Sequence, residues 1–278
     1  MRHSESTFTS SLDGLSIFRQ SWFPDGEARA TILLFHGLGE HSGRYAHVAE
    51  VLTSAGYAVH ALDHRGHGRS GGERTFVKRY DEFQADISQF RALVESEHPG
   101  LPLVVLGHSM GGNLAMGHVL DHQTGVKALV LSGPALKLGD SLPKWQVGIL
   151  LFIARIAPKL RPQGLDASTI SRDPKVVEAY RNDPLVSTGK VSAGLGAALI
   201  RAMRSFPQRY ASLRLPMLLL HGTHDQLADI GGTKELERMA VNAQVTSHYY
   251  EGLYHEVFNE PENHQVFADL TAWLSTVV

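Results

Sequence analysis

Short apolar runs alternate with amphipathic stretches along most of this chain. The pattern is typical of parallel strands that are buried between two layers of helices. The apolar runs predict strands at residues 31–35, 58–62, 103–106, 128–131, 217–220 and 246–250. The amphipathic stretches predict helices at residues 45–54, 82–96, 113–122, 234–241 and 262–277. We therefore expect an α/β fold with a mostly parallel central sheet flanked by helices, to which residues 17–22 add an antiparallel edge strand.

The alternation stops between residues 134 and 207. This region has several helical patterns and no convincing strand, and prolines interrupt it at Pro143, Pro158, Pro162, Pro174 and Pro184. A helical segment inserted between two strands predicts a cap over the carboxyl ends of the strands, where open α/β sheets bind ligands. We expect residues 1–133 and 208–278 to form the core and residues 134–207 to form a helical cap, or lid.

The composition narrows the classes of function. A net charge of −2 over 278 residues gives no sign of the basic surface that nucleic-acid-binding proteins need, so we expect no nucleic-acid partner. The absence of cysteine excludes disulfides, thiol catalysis and cysteine-ligated metals. We read no secretory signal at the N-terminus and no apolar run of the roughly 18 residues that a transmembrane helix needs. The expected location is therefore cytoplasmic.

The sequence GHSMG at residues 107–111 is the strongest candidate for chemistry. It follows a predicted strand and leads into a predicted helix, which is the setting of a nucleophile elbow. In such a turn Ser109 projects its hydroxyl into a site, and the flanking glycines let the backbone pack closely. The bare pattern also arises by chance in a chain with this much glycine and serine, so partner residues must support it.

A nucleophilic serine needs a base and a carboxylate that orients the base. Asp225 follows the apolar run at 217–220, and Asp229 is its rival four residues later. A carboxylate here also has a structural alternative, which is to cap the helix that we expect to begin near Thr233. His255 follows the last predicted strand and precedes the last predicted helix. The resulting order of Ser109, Asp225 and His255 is the nucleophile–acid–base order of α/β-hydrolases.

An oxyanion formed at this serine would need two backbone N–H donors. The residue after the nucleophile, Met110, supplies one of them in such an elbow. The turn that follows the strand at 31–35 is flanked by glycines, and Leu38 in this turn is the expected second donor.

Residues 63–70, DHRGHGRS, hold two histidines at close spacing. His64 and His67 could suggest a metal site, but no third ligand follows at a recognisable spacing, so we expect no metal. We interpret the segment as a structural loop beside the site, in which Asp63 and Arg65 pair locally.

With these residues identified, the chain resembles the monoacylglycerol lipases of the α/β-hydrolase superfamily, and bacterial members most of all. The resemblance spans nearly the whole chain and rests on six segments: HGLGEHSGRY (36–45), LDHRGHGRSGG (62–72), GHSMGG (107–112), YRNDPLV (180–186), HGTHD (221–225) and YEGLYHEVFNE (250–260). GHSMGG and the loop after residue 62 recur in many hydrolases, whereas HGLGEHSGRY and YRNDPLV are much narrower.

The resemblance implies a function for several residues. It implies that Ser109, Asp225 and His255 form a catalytic triad, with Leu38 and Met110 at the oxyanion hole and no cofactor. It also implies a small lipid ester as substrate, whose glycerol group is contacted by the side chains of Glu40, Arg44, His108 and Tyr180. The cap varies most among such enzymes, so the resemblance does not predict the preferred acyl chain.

One stretch of the expected cap, WQVGILLFIARI at residues 145–156, is apolar on nearly all sides. One interpretation is a lid helix that touches a membrane or a lipid droplet, or lines an acyl tunnel. The other is a helix buried between cap and core. The sequence leaves both open.

The favoured hypothesis is hydrolysis of monoacylglycerols, and of other short or medium-chain esters, through an acyl-enzyme intermediate. A broad carboxylesterase or lysophospholipase is an alternative with the same machinery. An aminopeptidase of the prolyl iminopeptidase type would need acidic groups that hold a free amine, and Glu40 is the one obvious candidate. A binding protein that keeps the fold without catalysis is the non-enzymatic alternative, although such proteins usually lack a triad residue.

Overall fold

A computed structural model describes residues 1–138, 143–164 and 166–278. In these residues eight strands form one sheet: β1 (Arg2–Thr9), β2 (Ser16–Phe23), β3 (Ala30–Phe35), β4 (Tyr57–Leu62), β5 (Leu103–His108), β6 (Val126–Ser132), β9 (Met217–Gly222) and β10 (Val245–Tyr250). Two strands of two residues each, β7 (Gln163–Gly164) and β8 (Lys190–Val191), pair separately. The strand order is β1-β2-β4-β3-β5-β6-β9-β10, and the strands from β4 to β10 are mutually parallel.

The helices among the described residues are α1 (Ala46–Ser54), α2 (Asp81–Glu97), α3 (Met110–Asp121), α4 (Lys144–Ile156), α5 (Pro174–Asn182), α6 (Ala193–Ser205), α7 (Ile230–Met239) and α8 (Asn263–Val277). The same described ranges form four short 3₁₀ segments, at Ser42–Tyr45, Ala167–Thr169, Pro207–Ser212 and Val257–Asn259. The sequence-based prediction of an α/β fold with a mostly parallel sheet is confirmed.

The sheet is apolar on both faces because each face is covered by helices. In β5, Leu103 and Val105 pack into a core that also contains side chains of α2, α3, α6 and α7. Val104 and Leu106 point to the opposite core, which contains side chains of α1 and α8. Side chains alternate across a strand, so a strand covered on both faces is apolar at every position. This is why the central strands were visible as uninterrupted apolar runs.

The outer strand of the sheet differs from the prediction. We expected residues 17–22 to form the antiparallel edge, and β2 does pair antiparallel with β4, but β1 pairs antiparallel with β2 on its outer side. Seven of the eight residues of β1 are exposed, and Phe8 is the one that is buried. A strand with so little buried surface has no apolar alternation, so hydrophobic patterning cannot identify it.

The segment between β6 and β9 contains α4, α5 and α6, as the helical patterns predict. It also contains the short β7–β8 ribbon, in which Gln163 and Gly164 pair with Val191 and Lys190. The expectation of a strand-free insertion was therefore wrong, because two-residue strands leave no periodic signal. Residues 139–142 and 165, which the expected cap includes, lie outside the described residues.

The structure bears on membrane insertion in one respect. Among the described residues, no helix combines the length and the apolar character required to span a bilayer.

The join between β5 and α3 depends on glycine, and we expect Gly111→Ala to destabilise the fold. A Cβ atom on Gly111 would lie 2.0 Å from the carbonyl oxygen of Phe35 and 2.6 Å from that of His36. Both neighbours are backbone atoms and cannot move aside cheaply, so we expect a loss of about 3 kcal/mol in the free energy of unfolding. Urea unfolding measures this loss.

Gly148→Ala is the matched control, because Gly148 also lies in a helix but has nothing within 4 Å of the added Cβ. That variant should be as stable as the wild type or gain up to about 1 kcal/mol. Equal unfolding midpoints for Gly111→Ala and the wild type would contradict the argument.

Candidate active site

Ser109 lies at the turn between β5 and α3, in a backbone conformation that few non-glycine residues adopt. Its φ is 54° and its ψ is −118°. Its N–H donates to the carbonyl of Ser132 at 3.0 Å, and its carbonyl accepts from the N–H groups of Asn113 and Ala135, each at 3.0 Å. Such strain persists only where the surroundings fix it. Here strand β6, the first turn of α3 and the start of the β6–β9 segment hold the serine in place.

The glycines around the serine are explained by backbone crowding. A Cβ on Gly107 would lie 2.3 Å from the carbonyl oxygen of Gly111, and a Cβ on Gly112 would lie 2.8 Å from Cβ of Pro134. The pattern GHSMGG is therefore a packing requirement of this turn. The helix that begins at Met110 also directs the positive end of its dipole toward the serine.

Asp225 and His255 are adjacent in the structure. Asp225 lies in the loop after β9 with its side chain fully buried, and its Oδ2 is 2.7 Å from Nδ1 of His255. Its Oδ1 accepts the N–H groups of Leu227 and Ala228 at 2.8 and 2.9 Å. The rival carboxylate, Asp229, instead accepts the N–H of Gly231 and caps helix α7. The structure thus assigns the cap to Asp229 and brings Asp225 to the histidine.

His221 is a partner of Asp225 that the sequence did not reveal. It lies near the end of β9, and its fully buried ring places Nε2 3.1 Å from Oδ2 of Asp225. Its other nitrogen, Nδ1, is 2.8 Å from the hydroxyl of Thr233. The four-residue spacing in HGTHD was visible, but a strand pattern does not say that a strand-end ring turns toward the following loop. His221 therefore helps to fix the carboxylate that contacts His255.

Asp225 and His255 shift each other's pKa. Burial would raise the pKa of Asp225, but attraction to His255 and hydrogen bonds with His221 and His255 hold it well below its usual range. Burial would lower the pKa of His255, but the charge and hydrogen bond of Asp225 raise it above 6.5. The carboxylate is therefore ionised, and the imidazole is a stronger base than a free one.

Ser109 and His255 line one cavity of about 170 Å³. Among the described residues, no hydrogen bond joins the Ser109 hydroxyl to the His255 ring. In unliganded enzymes such contacts are often long and tighten when substrate binds. His108 also lines the cavity, with its ring centroid 4.7 Å from that of His255. Burial, and after it the nearby His255, lower the pKa of His108 to about 4, so this ring is neutral at neutral pH.

The two expected oxyanion donors border the same cavity. Leu38 and Met110 both line it, and in the described part of the chain neither backbone N–H has a protein acceptor. A Cβ built on Gly37 would lie 3.3 Å from Cβ of Ser109, which shows how closely the Gly37 turn approaches the serine. The N–H of Gly37 is already used, since it donates to Glu40 Oε1 at 2.6 Å. Two free donors next to a serine can bind developing negative charge.

Glu40 and Arg44 form a buried ionic network beside the cavity. Glu40 Oε1 accepts from the hydroxyl of Tyr45 at 2.7 Å, and its Oε2 pairs with Arg44. Arg44 also makes a bidentate pair with Glu256, both bonds at 2.8 Å. Burial would raise the pKa of Glu40, but Arg44 and nearby histidines lower it to about 2. Glu40 is therefore ionised beside the guanidinium that it shares with Glu256.

Two of the four residues expected to contact glycerol, Glu40 and Arg44, belong to this ionic network. Glu40, His108 and Tyr180 line the cavity, whereas Arg44 lies behind it, with its guanidinium 4.7 Å from the Tyr180 ring centroid. Glu256, for which the sequence predicted no role, lines the cavity. The sequence signal that could have identified Glu256 as a cavity residue is its position directly after His255.

The loop at residues 63–70 corrects another prediction. Asp63 and Arg65 do not pair with each other. Asp63 accepts the N–H and hydroxyl of Ser42 and the N–H of Arg69. Arg65 pairs with Asp86, with Nε 2.7 Å from Oδ2, and with Asp13. Asp63 and Arg65 are close in sequence but bind different partners, because the loop directs their side chains to opposite sides.

The β6–β9 segment supplies one wall of the cavity. Its contributions are Ala135, Ile170, Tyr180, Leu199 and Met203. A second cavity, of about 420 Å³, lies between α4 and α6 and is lined mainly by apolar side chains. Leu199 and Met203 line both cavities, so they form the partition between them.

Comparison with known proteins places the chain among hydrolases. Residues 26–262 match a hydrolase family model described as serine aminopeptidase, S33. The chain is 42% identical to a monoacylglycerol lipase of Mycolicibacterium smegmatis, covering 94% of this chain and 93% of that relative. It is 34% identical to a monoglyceride lipase of Homo sapiens, covering 95% and 88%. The structure of a Paleococcus ferrophilus monoacylglycerol lipase superposes with a TM-score of 0.85 at 30% identity, covering 94% and 99%.

The Asp225–His255 pair predicts a specific pH dependence of ester turnover. If His255 is the base, kcat/KM should fall as the pH drops through its pKa, which lies above 6.5. Asp225→Asn removes the charge that raises this pKa, and burial then lowers it. We expect the acid limb of the profile to move to lower pH and kcat to fall on the order of 10⁴-fold.

Asp229→Asn is the control, because asparagine also caps a helix and Asp229 does not contact His255. Its profile should match that of the wild type. An acid limb that stays in place in Asp225→Asn would show that another group controls the profile.

Proposed function

The chain belongs to the monoacylglycerol lipase family of α/β-hydrolases, and on that premise we propose that it hydrolyses monoacylglycerols to fatty acid and glycerol. The observation that carries the proposal is one cavity in which Ser109, His255 and two free backbone N–H groups meet. Asp225 supports this arrangement from behind. Strand ends of the core and helices of the β6–β9 segment both border the cavity, as a capped hydrolase requires.

The proposed reaction proceeds in two halves. His255 takes the proton of the Ser109 hydroxyl as its oxygen attacks the ester carbonyl, and the N–H groups of Leu38 and Met110 bind the oxyanion. Collapse of this intermediate breaks the ester bond, and His255 gives its proton to the departing glycerol oxygen. Water, deprotonated by His255, then attacks the acyl-enzyme, and His255 returns the proton to the Ser109 oxygen as the fatty acid departs. Asp225 stays ionised and stabilises the imidazolium in both halves.

The walls of the cavity support an amphiphilic substrate. Glu40, His108, Tyr180 and Glu256 give the lining polar groups suited to glycerol hydroxyls, although Glu40 and Glu256 are also paired with Arg44. Ile170, Leu199, Met203 and Leu227 give it apolar groups suited to an acyl chain. We propose that the acyl chain passes the partition of Leu199 and Met203 into the apolar cavity beyond it.

The aminopeptidase alternative finds less support at this site. A free α-ammonium group would need a carboxylate whose charge is not already engaged by another cation. Glu40 and Glu256 are both paired with the buried guanidinium of Arg44. The match to a family model named for an aminopeptidase therefore indicates the fold, whereas the residues of the site favour an ester substrate.

The test of the proposal is turnover by purified wild type and Ser109→Ala. We expect Ser109→Ala to lose on the order of 10⁵-fold in kcat for monoacylglycerols, since the reaction needs the nucleophile. Ser96→Ala, at an exposed position on α2, should keep full activity. A fluorophosphonate probe should label the wild type and not Ser109→Ala.

The same wild-type enzyme should be offered mono-, di- and triacylglycerols, a lysophospholipid and a prolyl arylamide. Preference for the monoacylglycerol supports the proposal. Preference for the arylamide or the triacylglycerol would refute the substrate class but not the nucleophile. Unchanged turnover by Ser109→Ala would refute the mechanism.

We also propose that α4 contacts a lipid surface. Trp145, Ile149, Phe152 and Ile156 are between 49% and 67% exposed and follow a spacing of three and four residues. They therefore form one apolar stripe of the helix.

Val147, on another side of α4, is buried, and Ile149 and Leu150 also border the apolar cavity. The interpretation of a fully buried helix is inconsistent with this exposure. An exposed stripe of large apolar side chains next to an apolar cavity fits a membrane surface.

Phe152→Gln combined with Ile156→Gln should weaken vesicle binding. We expect the partition onto phosphatidylcholine–phosphatidylglycerol vesicles, measured by sedimentation, to fall about 10-fold or more, because two large side chains lose their apolar transfer energy. Turnover of a short, water-soluble ester should stay unchanged. Val241→Gln removes an equally exposed apolar residue outside α4 and should not affect binding. Equal partitioning of all three proteins would exclude this helix as the contact.

A further inference from the structure

A second cluster of chemically capable side chains lies outside the catalytic cavity. His60 is in strand β4, and Glu97 and His98 are at the end of helix α2. Each offers one donor atom, and the three donor atoms lie within 4.8 Å of one another. None of the three lines the cavity that holds Ser109. The cluster is therefore independent of the proposed ester chemistry.

His60 gives this cluster a feature that surface histidines lack. Its side chain is fully buried, its Nδ1 is 2.8 Å from the hydroxyl of Ser21, and its Nε2 has no hydrogen-bond partner in the described part of the chain. An unpartnered buried polar atom costs about 1–3 kcal/mol. When Nδ1–H donates to Ser21, Nε2 carries a lone pair that is free to coordinate a metal ion.

The surroundings of the cluster suit a cation. The C-terminal end of a helix carries partial negative charge, and Glu97 and His98 lie at that end of α2. Phe23 packs against both imidazole rings, at 5.6 and 6.0 Å between centroids, and forms an apolar wall.

In the part of the chain that the structure describes, Arg19 is the cationic side chain that pairs with the cluster's carboxylate. Its guanidinium makes a bidentate pair with Glu97, with its Nη1 3.0 Å from Oε2. This pair fixes the plane of the carboxylate and leaves each oxygen a second lone pair for a metal. The charge of Arg19 also reduces the attraction for a cation, so the expected affinity is modest compared with that of a structural zinc site.

We propose that His60, Glu97 and His98 bind a divalent transition metal of the zinc class, with water as the fourth ligand. Two imidazoles and one carboxylate are a ligand set that zinc accepts. Ser21 would hold the His60 ring in the correct tautomer, as an outer partner of a metal ligand does. Donor atoms in a tetrahedral zinc site lie roughly 3.3 Å apart. Glu97 and His98 are less buried than His60, so their rotation can close the present spacing.

A metal at this place would tie helix α2 to the sheet. Strand β4 lies between β2 and β3, and α2 packs on the core that is shared with α3. A ligand that binds only the folded state stabilises it. The expected effect is therefore on stability and not on ester turnover.

The test uses the full chain without a histidine tag, treated with a chelator and then titrated with zinc chloride. Calorimetry should show one zinc ion bound per chain, and thermal unfolding should move to higher temperature. Cobalt(II) should give the visible absorption of a four-coordinate site. Turnover of a soluble ester should be the same with and without zinc at concentrations that saturate this site.

Variants of Glu97 and His98, the two less buried residues at the rim of the proposed site, distinguish zinc binding here from zinc binding by other histidines. Glu97→Gln and His98→Gln should each lower zinc affinity at least 10-fold and abolish the cobalt spectrum, without unfolding the apoprotein. They are preferred to a His60 variant, since replacing a buried ring can prevent folding. His122→Gln is the matched control, because its ring also lies near another histidine, His118, at 5.1 Å. The proposal is wrong if the wild type binds no zinc, or if the rim variants bind it as the control does.

Discussion

The close approach of backbone to backbone where β5 turns into α3 is the constraint on which the site depends. A strained serine, with a positive φ, is held between the carbonyl of Ser132 and the N–H groups of Asn113 and Ala135. The turn leaves no room for side chains at Gly107 and Gly111. Because β5 is central and buried on both faces, the rest of the sheet supplies the stability that offsets this strain.

Ion pairs and hydrogen bonds join the loops around this turn to each other and to the β6–β9 segment. Arg44 connects Glu40, next to the Gly37 turn, with Glu256, next to His255, so both sides of the cavity share one buried cation. His41 meets Asp183, with 2.9 Å between Nε2 and Oδ2, and Arg172 meets Glu260. These pairs are partly or fully screened from water, so they fix geometry more firmly than surface pairs do.

Sequence patterns identified the candidate site residues whose positions are determined by the end of a strand or by a backbone turn. The apolar runs located β3, β5 and β9, and the residues just after them include Leu38, Ser109 and Asp225. Patterns failed where the outcome depends on which way a side chain points. The bond between His221 and Asp225, the position of Arg44 behind the cavity and the separate partners of Asp63 and Arg65 are of this kind. The approach of His60 to His98 also depends on packing between a strand and a helix that are distant in sequence.

Strand β1 was missed because its side chains are polar, and the same polarity protects the molecule from self-association. An outer strand leaves a row of backbone N–H and C=O groups ready to pair with another chain. On β1 the exposed residues include Arg2, Glu5 and Ser6, and Glu5 is paired with Arg69. A second molecule that extended the sheet here would have to desolvate these groups on both faces. A strand that is polar enough to escape hydrophobic patterning is therefore also a poor template for the growth of a fibril at this edge.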